Sequence, residues 1–210
     1  MTWIQLNNRQ FFEKNINYSI EGIEGNVRII YDKQMTAEHR YLLSFKRELC
    51  INNDNKILFI LLNPSNNTFV KTTSLKLDET VKFCFLKGLK EGYDIVEIIN
   101  VFSHLSPNSD KLMQKLEIEL RNTGIIDHKN NNLWIKKSLS TSDALVVSWG
   151  GNGNWFNRNV DIINIIRKYW AREIKCLAET KNGYPIHSSV QSRNQFQITL
   201  MTPLKEYIFI

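Results

Sequence analysis

The amino-acid sequence predicts an α/β fold, a three-layer α/β/α sandwich around a central, mostly parallel sheet of four strands. Three observations carry that prediction. Runs that are apolar on both faces, such as residues 57–62 and 144–149, reach only strand length. They alternate with segments whose apolar residues recur at helical spacing. Each run ends abruptly in a polar loop, the pattern expected when helices cover both sides of a parallel sheet.

Residues 1–39 read as an N-terminal elaboration, because Asn7, Asn8, Asn15 and Asn17 interrupt the apolar pattern before Asn26-Val27-Arg28-Ile29-Ile30-Tyr31 offers a short strand. The core, residues 40–192, is more regular. Tyr41-Leu42-Leu43-Ser44-Phe45 reads as a strand, and residues 56–62 as a fully buried one that stops at Asn63-Pro64-Ser65. Beyond a polar loop, Asp78 can cap a helix whose Val81, Phe85, Leu86 and Leu89 share a face before Gly92 ends it. Residues 94–102 form the next buried strand, and residues 107–122 an amphipathic helix closed by Gly124. A further helix spans 128–141. Ala144-Leu145-Val146-Val147-Ser148-Trp149 is the third buried strand, followed by a Gly/Asn stretch and a helix over 156–171. Ile174-Lys175-Cys176-Leu177-Ala178 is the fourth, and residues 193–210 read as a C-terminal strand extension. No internal repeat or second composition regime divides residues 1–210, so one domain is expected.

Composition narrows the function classes. With 42% hydrophobic and 23% charged residues, 4 Pro and 9 Gly, the chain lies outside the disordered and collagen-like classes. Its apolar runs fall far short of the roughly 20 residues that a membrane helix needs. The N-terminus lacks the basic start and apolar stretch of a secretory signal, so a cytoplasmic monomer without a membrane partner is expected. Cys50, Cys84 and Cys176 form no C-x-x-C pair and read as reduced, mostly buried thiols. A net charge of +6 favours a polyanionic partner.

Ligands of parallel sheets bind at the carboxyl ends of the strands. Four loops compete for that role here: 63–73, 100–107, 150–157 and 180–192. Asn63 would project over the sheet edge with Pro64 fixing the turn behind it, or serve simply as a turn opener. Asn100 places an amide in an apolar strand, where it either bonds a loop backbone or reads a base edge two-pronged. His187 lies beside two hydroxyl residues, as a surface histidine or as a donor to a developing anion, and His104 is near enough in sequence to Asn100 to join the cleft. Gly150-Gly151-Asn152-Gly153-Asn154 matches neither the Walker pattern nor G-x-G-x-x-G and reads as a flexible turn rather than a phosphate cradle. Trp149 and Trp155 could stack on bases or fill the core. His39, His104 and His128 show no ligand spacing with a cysteine or carboxylate, so neither metal nor cofactor is expected.

Three motifs in order, Leu61-Leu62-Asn63-Pro64-Ser65, Ile98-Ile99-Asn100-Val101 and Pro185-Ile186-His187-Ser188-Ser189, resemble the motif series of the uracil-DNA glycosylase superfamily. The chain from Arg40 to Ser189 also resembles a bacterial and viral family of unknown function with L-N-P-S, D-x-T, W-G and K-x-G-x-P-x-H signatures. Here these are Asn63-Pro64-Ser65, Asp78-Glu79-Thr80, Trp149-Gly150 and Lys181-Asn182-Gly183-Tyr184-Pro185-Ile186-His187.

The glycosylase resemblance implies a DNA glycosylase that flips a base out of the helix and hydrolyses its bond to deoxyribose. Asn63 would orient the attacking water and His187 would hydrogen-bond the pyrimidine oxygen, while Asn100 reads the base edge. Phe69 would stack under the base, with Phe102 or Tyr93 as alternatives. Ser65, Ser188, Ser189, Arg158, Lys181 and Arg193 would hold DNA phosphates. Val190 and Gln191 are nearest to a wedge position. Asn63 cannot take a proton as an aspartate would, and Ser188 stands where the superfamily usually carries proline. Uracil, a mismatched pyrimidine or a modified cytosine of viral DNA, in a defence role, would use the same framework. The competing classes are a non-catalytic nucleic-acid binder and a hydrolase of free nucleosides.

Overall fold

A computed structural model describes residues 2–33, 38–49, 54–65, 69–71 and 74–209, the side chains of 69–71 and 74–76 excepted. In chain order the elements are β1 (Thr2–Leu6), β2 (Arg9–Ile20), β3 (Ile23–Tyr31), β4 (Arg40–Arg47), β5 (Lys56–Leu61), β6 (Phe69–Lys71), β7 (Ser74–Lys76), α1 (Glu79–Lys90) and β8 (Ile95–Asn100). There follow α2 (Ser109–Thr123), α3 (Lys129–Thr141), β9 (Ala144–Val147), a 3₁₀ segment (Gly151–Asn157), α4 (Arg158–Tyr169), β10 (Ile174–Cys176), α5 (Val190–Gln195) and β11 (Lys205–Glu206).

Among the described residues one nine-stranded sheet runs β1-β2-β3-β4-β8-β5-β9-β10-β11, and β6 and β7 pair separately. The pairs β8–β5, β5–β9 and β9–β10 are parallel. The other five pairings of the large sheet are antiparallel. The expected sheet of four mostly parallel strands is therefore wrong: the sheet is mixed, mostly antiparallel and more than twice as wide. The physical reason lies in β1 and β2. Their signal is alternation, with Asn15, Asn17 and Ser19 of β2 exposed and Tyr18 buried, not a continuous apolar run. Asn7 and Asn8, taken as interruptions, are the two left-handed residues of a tight hairpin turn, at φ 49° and 61°, and Leu6 pairs directly with Arg9. Glu21 and Gly22 do the same between β2 and β3.

The sheet buries apolar side chains on both faces. Leu58 and Ile60 of β5 face Leu112 and Leu116 of α2, Ile135 and Leu139 of α3, and Ile162 and Ile166 of α4. Ile57, Phe59 and Leu61 face Val81 and Phe85 of α1. Each such side chain contributes about 1.5–3 kcal/mol on burial. α1 packs closely enough that a β-carbon at Gly88 would come within 2.6 Å of Val96.

Other boundaries shift. The helix expected over 156–171 starts at Arg158, because Phe156 and Asn157 are left-handed and end the 3₁₀ segment. Among the described residues of the C-terminal region only Lys205–Glu206 is strand, antiparallel to β10. Cys84 and Cys176 are buried free thiols, and burial pushes both up to about 12. Cys50 lies outside the described residues. No described helix is long and apolar enough to cross a membrane.

Candidate functional site

The carboxyl ends of β5, β8, β9 and β10 share one edge of the sheet. From β5 the chain passes to α1 on one face, and from β9 to α4 on the other. Where connections diverge in this way a crevice opens between the strand ends. A cleft of about 870 Å³ lies there, walled by the loops after all four strands, by the start of β4 and by the start of α1.

Asn63 lines it directly after β5. Its Nδ2 donates to the carbonyls of Pro64 (3.2 Å) and Ser106 (3.1 Å), which sets the amide's orientation and joins the β5 loop to the β8 loop. The same loops are tied by the Ser106 amide donating to Pro64 O at 2.9 Å. With both donors of the amide engaged, its function toward a ligand is that of an acceptor through Oδ1.

Asn100 ends β8, is only 2% exposed and lines the cleft. Its Oδ1 is buried and accepts from no described residue. An orphaned buried acceptor costs about 1–3 kcal/mol. The strand end is immobilised from behind. Asn131 of α3 donates to the carbonyls of Asn100 and Val101 at 2.9 Å each, and Arg158 Nε donates to Val101 O at 3.0 Å.

His187 sits on the loop after β10, and β9 holds that loop. Ser148 Oγ donates to Ile186 O at 2.7 Å, and the Gly150 amide to Pro185 O at 3.0 Å. Gly150 has φ 73° and ψ −179°, a combination open to glycine alone, and a β-carbon there would come 3.3 Å from His187 Cβ. The Ser189 amide donates to His187 Nδ1 at 3.1 Å, so the ring's proton belongs on Nε2. Burial pushes the histidine down to about 4, with the negative charge of Asp78 opposing that shift. His187 is thus a neutral hydrogen-bond donor at physiological pH, not an imidazolium.

Two cleft residues escape a sequence-level search for chemistry. Arg40, the first residue of β4, is 2% exposed and lines the cleft. In the sequence it is a lone charge before an apolar run. Burial lowers its pKa, while Tyr31 and the carboxylate of Asp78 act to raise it. Asp78 does cap α1, accepting from the amides of Thr80 (3.0 Å) and Val81 (2.9 Å) on Oδ1, yet the same carboxylate is part of the cleft wall. The D-x-T signature was the available signal.

Ser65, Ser189 and the exposed Lys181 also line the cleft, as do Gln191, Trp149 and the Gly150-Gly151-Asn152 turn. Other expected site residues are not brought there. Phe102 is fully buried in the core near His128 and Trp155. Arg158 is 1% exposed beneath β8, with Val101 O and Asn132 Oδ1 as acceptors, and burial pushes it down to about 10. It supports the strand end and cannot reach a phosphate. Ser188 is fully buried and bonds Ser148 Oγ at 2.6 Å, which anchors the His187 loop where proline was expected. Arg193 donates to Ser188 O at 3.0 Å and lies over the Phe83 ring. Tyr93 precedes β8 and so lies at the opposite end of the sheet from Asn100. His104 is buried against Glu119 and His39 outside the cleft. Phe69 falls in β6, whose side chains lie outside the description, so its stacking role finds no structural account. Spacing along the chain hid one cluster: folding brings ligand atoms of Asp32, Glu38 and His39 within 4.8 Å of one another, none of the three lining the cleft. Asp32 Oδ1 there already accepts from the Glu38 and His39 amides.

Residues 40–188 match the family model described as a protein of unknown function, DUF1643, and the chain belongs to that family. The matched segment begins at Arg40 and contains Asn63, Asp78, Asn100 and His187. No curated protein and no solved structure matches the chain.

Proposed function

We propose that this protein is a DNA glycosylase, which flips out a pyrimidine base and hydrolyses its bond to deoxyribose. The observation that carries the proposal is the meeting of Asn63, Asn100 and His187, from three distant segments, in one cleft at the strand ends. Each presents what the reaction needs. The Oδ1 of Asn100, which accepts from no described residue, is the acceptor for an N–H such as a pyrimidine ring or its exocyclic amine provides. Asn63 Oδ1 accepts a hydrogen bond from water and so aims its oxygen at the sugar carbon. As the glycosidic bond breaks, its electron pair leaves with the base, and the Nε2–H of neutral His187 meets the charge on the pyrimidine oxygen. Water then forms the bond to the sugar carbon, leaving an abasic site. Lys181, Ser65 and Ser189 at the cleft rim are the phosphate contacts, supported by the net charge of +6. The reaction places the protein with cellular DNA, in the cytoplasm.

A non-catalytic DNA binder of the same architecture is the second reading. Asn63 favours it, since an amide can orient water but cannot take its proton.

Mass spectrometry of free base released from single- and double-stranded DNA carrying uracil, mismatched thymine, or hydroxymethylated or glucosylated cytosine tests the two. A glycosylase releases one of these bases, and Asn63→Ala and His187→Ala each slow release about 10²–10³-fold. DNA bound without release from any substrate selects the binder.

A further inference from the structure

Asn63 leaves the attacking water without a proton acceptor, so the cleft must be searched for another. Among the described residues that line it, only Asp78 and Glu179 carry carboxylates. Glu179 is exposed at the rim, whereas Asp78 is half-buried in the wall. The geometry points to Asp78 as a further catalytic residue of the proposed glycosylase, the carboxylate that faces the cationic sugar and takes the proton of the water held by Asn63.

Four features support the assignment. The carboxylate is fixed, because Oδ1 is held by the Thr80 and Val81 amides at the start of α1. Its charge acts on two other groups of the same wall, opposing the effect of burial on both His187 and Arg40. Arg40, 2% exposed, puts a buried guanidinium in the same wall, so the cleft holds a fixed charge of each sign. Asn100, whose buried Oδ1 accepts from no described residue, lines the same cleft.

The step balances without any other reactant. The bond between sugar carbon and base nitrogen breaks, and its electron pair departs with the base toward His187. Positive charge spreads over the sugar carbon and ring oxygen, where a nearby carboxylate lowers its energy. The water oxygen then bonds to the carbon. Once bonded it is strongly acidic, so its proton passes to the Asp78 carboxylate, which returns it to solvent.

This inference rests on the glycosylase reading, and one experiment separates the two. Base release, duplex affinity and thermal midpoint are compared for the wild type, Asp78→Asn and Asp78→Ser. Asparagine and serine both cap helices well, so α1 keeps its cap while the carboxylate is lost. The expected result is a loss of release of about 100-fold or more in both variants, with duplex affinity within about threefold of wild type. Added formate should restore part of the Asp78→Ser rate, which a purely structural role would not allow. If the wild type releases base and Asp78→Asn matches it within about threefold, Asp78 is only a cap and the inference falls while the glycosylase reading stands. If the wild type releases nothing from any substrate, that reading falls and takes the inference with it.

Discussion

The antiparallel strands β1–β4 and the parallel strands β8, β5, β9 and β10 share one sheet, but each set finds its neighbours by a different route. β1, β2 and β3 follow each other through two-residue turns, so every partner is local in sequence. Each parallel strand reaches its neighbour only after a helix has crossed a face of the sheet. The consequence is functional. Hairpin turns alternate between the two ends of the sheet and gather nothing, whereas parallel crossovers deliver every strand-end loop to one edge. Asn63, Asn100, Gly150 and His187 meet for that reason, while the meander sends only Arg40, at the start of β4, to the cleft. The family match covers residues 40–188, taking in β4 with the parallel region and leaving β1 to β3 outside it.

That contrast can be broken most forcefully at the junction between the two regions. Phe11 of β2 is fully buried and meets Tyr41 and Trp134 edge-on, each at 5.4 Å between ring centres. Phe11→Ala should therefore cost about 3–5 kcal/mol in urea unfolding. A loss below about 1 kcal/mol would show the meander to be a detachable addition instead of part of the core.

Gly150→Ala asks how tightly β9 governs the His187 loop. The left-handed backbone and the contact with His187 Cβ predict a loss of about 1–3 kcal/mol in stability, with base release falling further than the melting point alone explains. Full release at a lowered melting point would separate the glycine from the site.

A substitution in a hairpin should do the opposite. Asn8→Val puts a β-branched residue at φ 61° and should cost about 1–2 kcal/mol, leaving DNA affinity at wild-type level in gel-shift titration.

The mildest effect is that of pH. Burial lowers His187 to about 4 and His128 to about 3, against an ordinary value near 6.5. Between those values the unfolded chain binds more protons than the folded one. Stability from these neutral histidines is therefore complete above about pH 6.5 and lost progressively as pH falls toward 3–4. Melting temperatures recorded from pH 7 to 4 should fall along that window, and His128→Phe, which keeps a ring near Phe102, should flatten the slope.

Much of the parallel region was legible in the sequence because its strands are buried on both faces. Continuous apolar runs marked β5, β8 and β9, Asn63 and Asn100 stood out as polar residues at the ends of the first two, and His187 as one in the loop after β10. The meander was not legible. In β2 exposed polar residues such as Gln10, Asn15, Asn17 and Ser19 interrupt the buried ones, and Asn7-Asn8 offers the same residues whether it ends a strand or turns one tightly.

The sequence by itself determined the strand–helix alternation, the cap at Asp78, the stop of α2 at Gly124, and the polar residues presented at the strand ends. These depend on neighbours three or four residues away, where periodicity and hydrogen bonding are local. Only the tertiary structure decided the width of the sheet, the recruitment of Arg40 and Asp78 to the cleft, and the withdrawal of Arg158, Ser188 and Phe102 into supporting positions. Whether a charged or aromatic side chain meets solvent, a ligand or the core depends on which distant segment packs over it, and that choice is made by the fold as a whole.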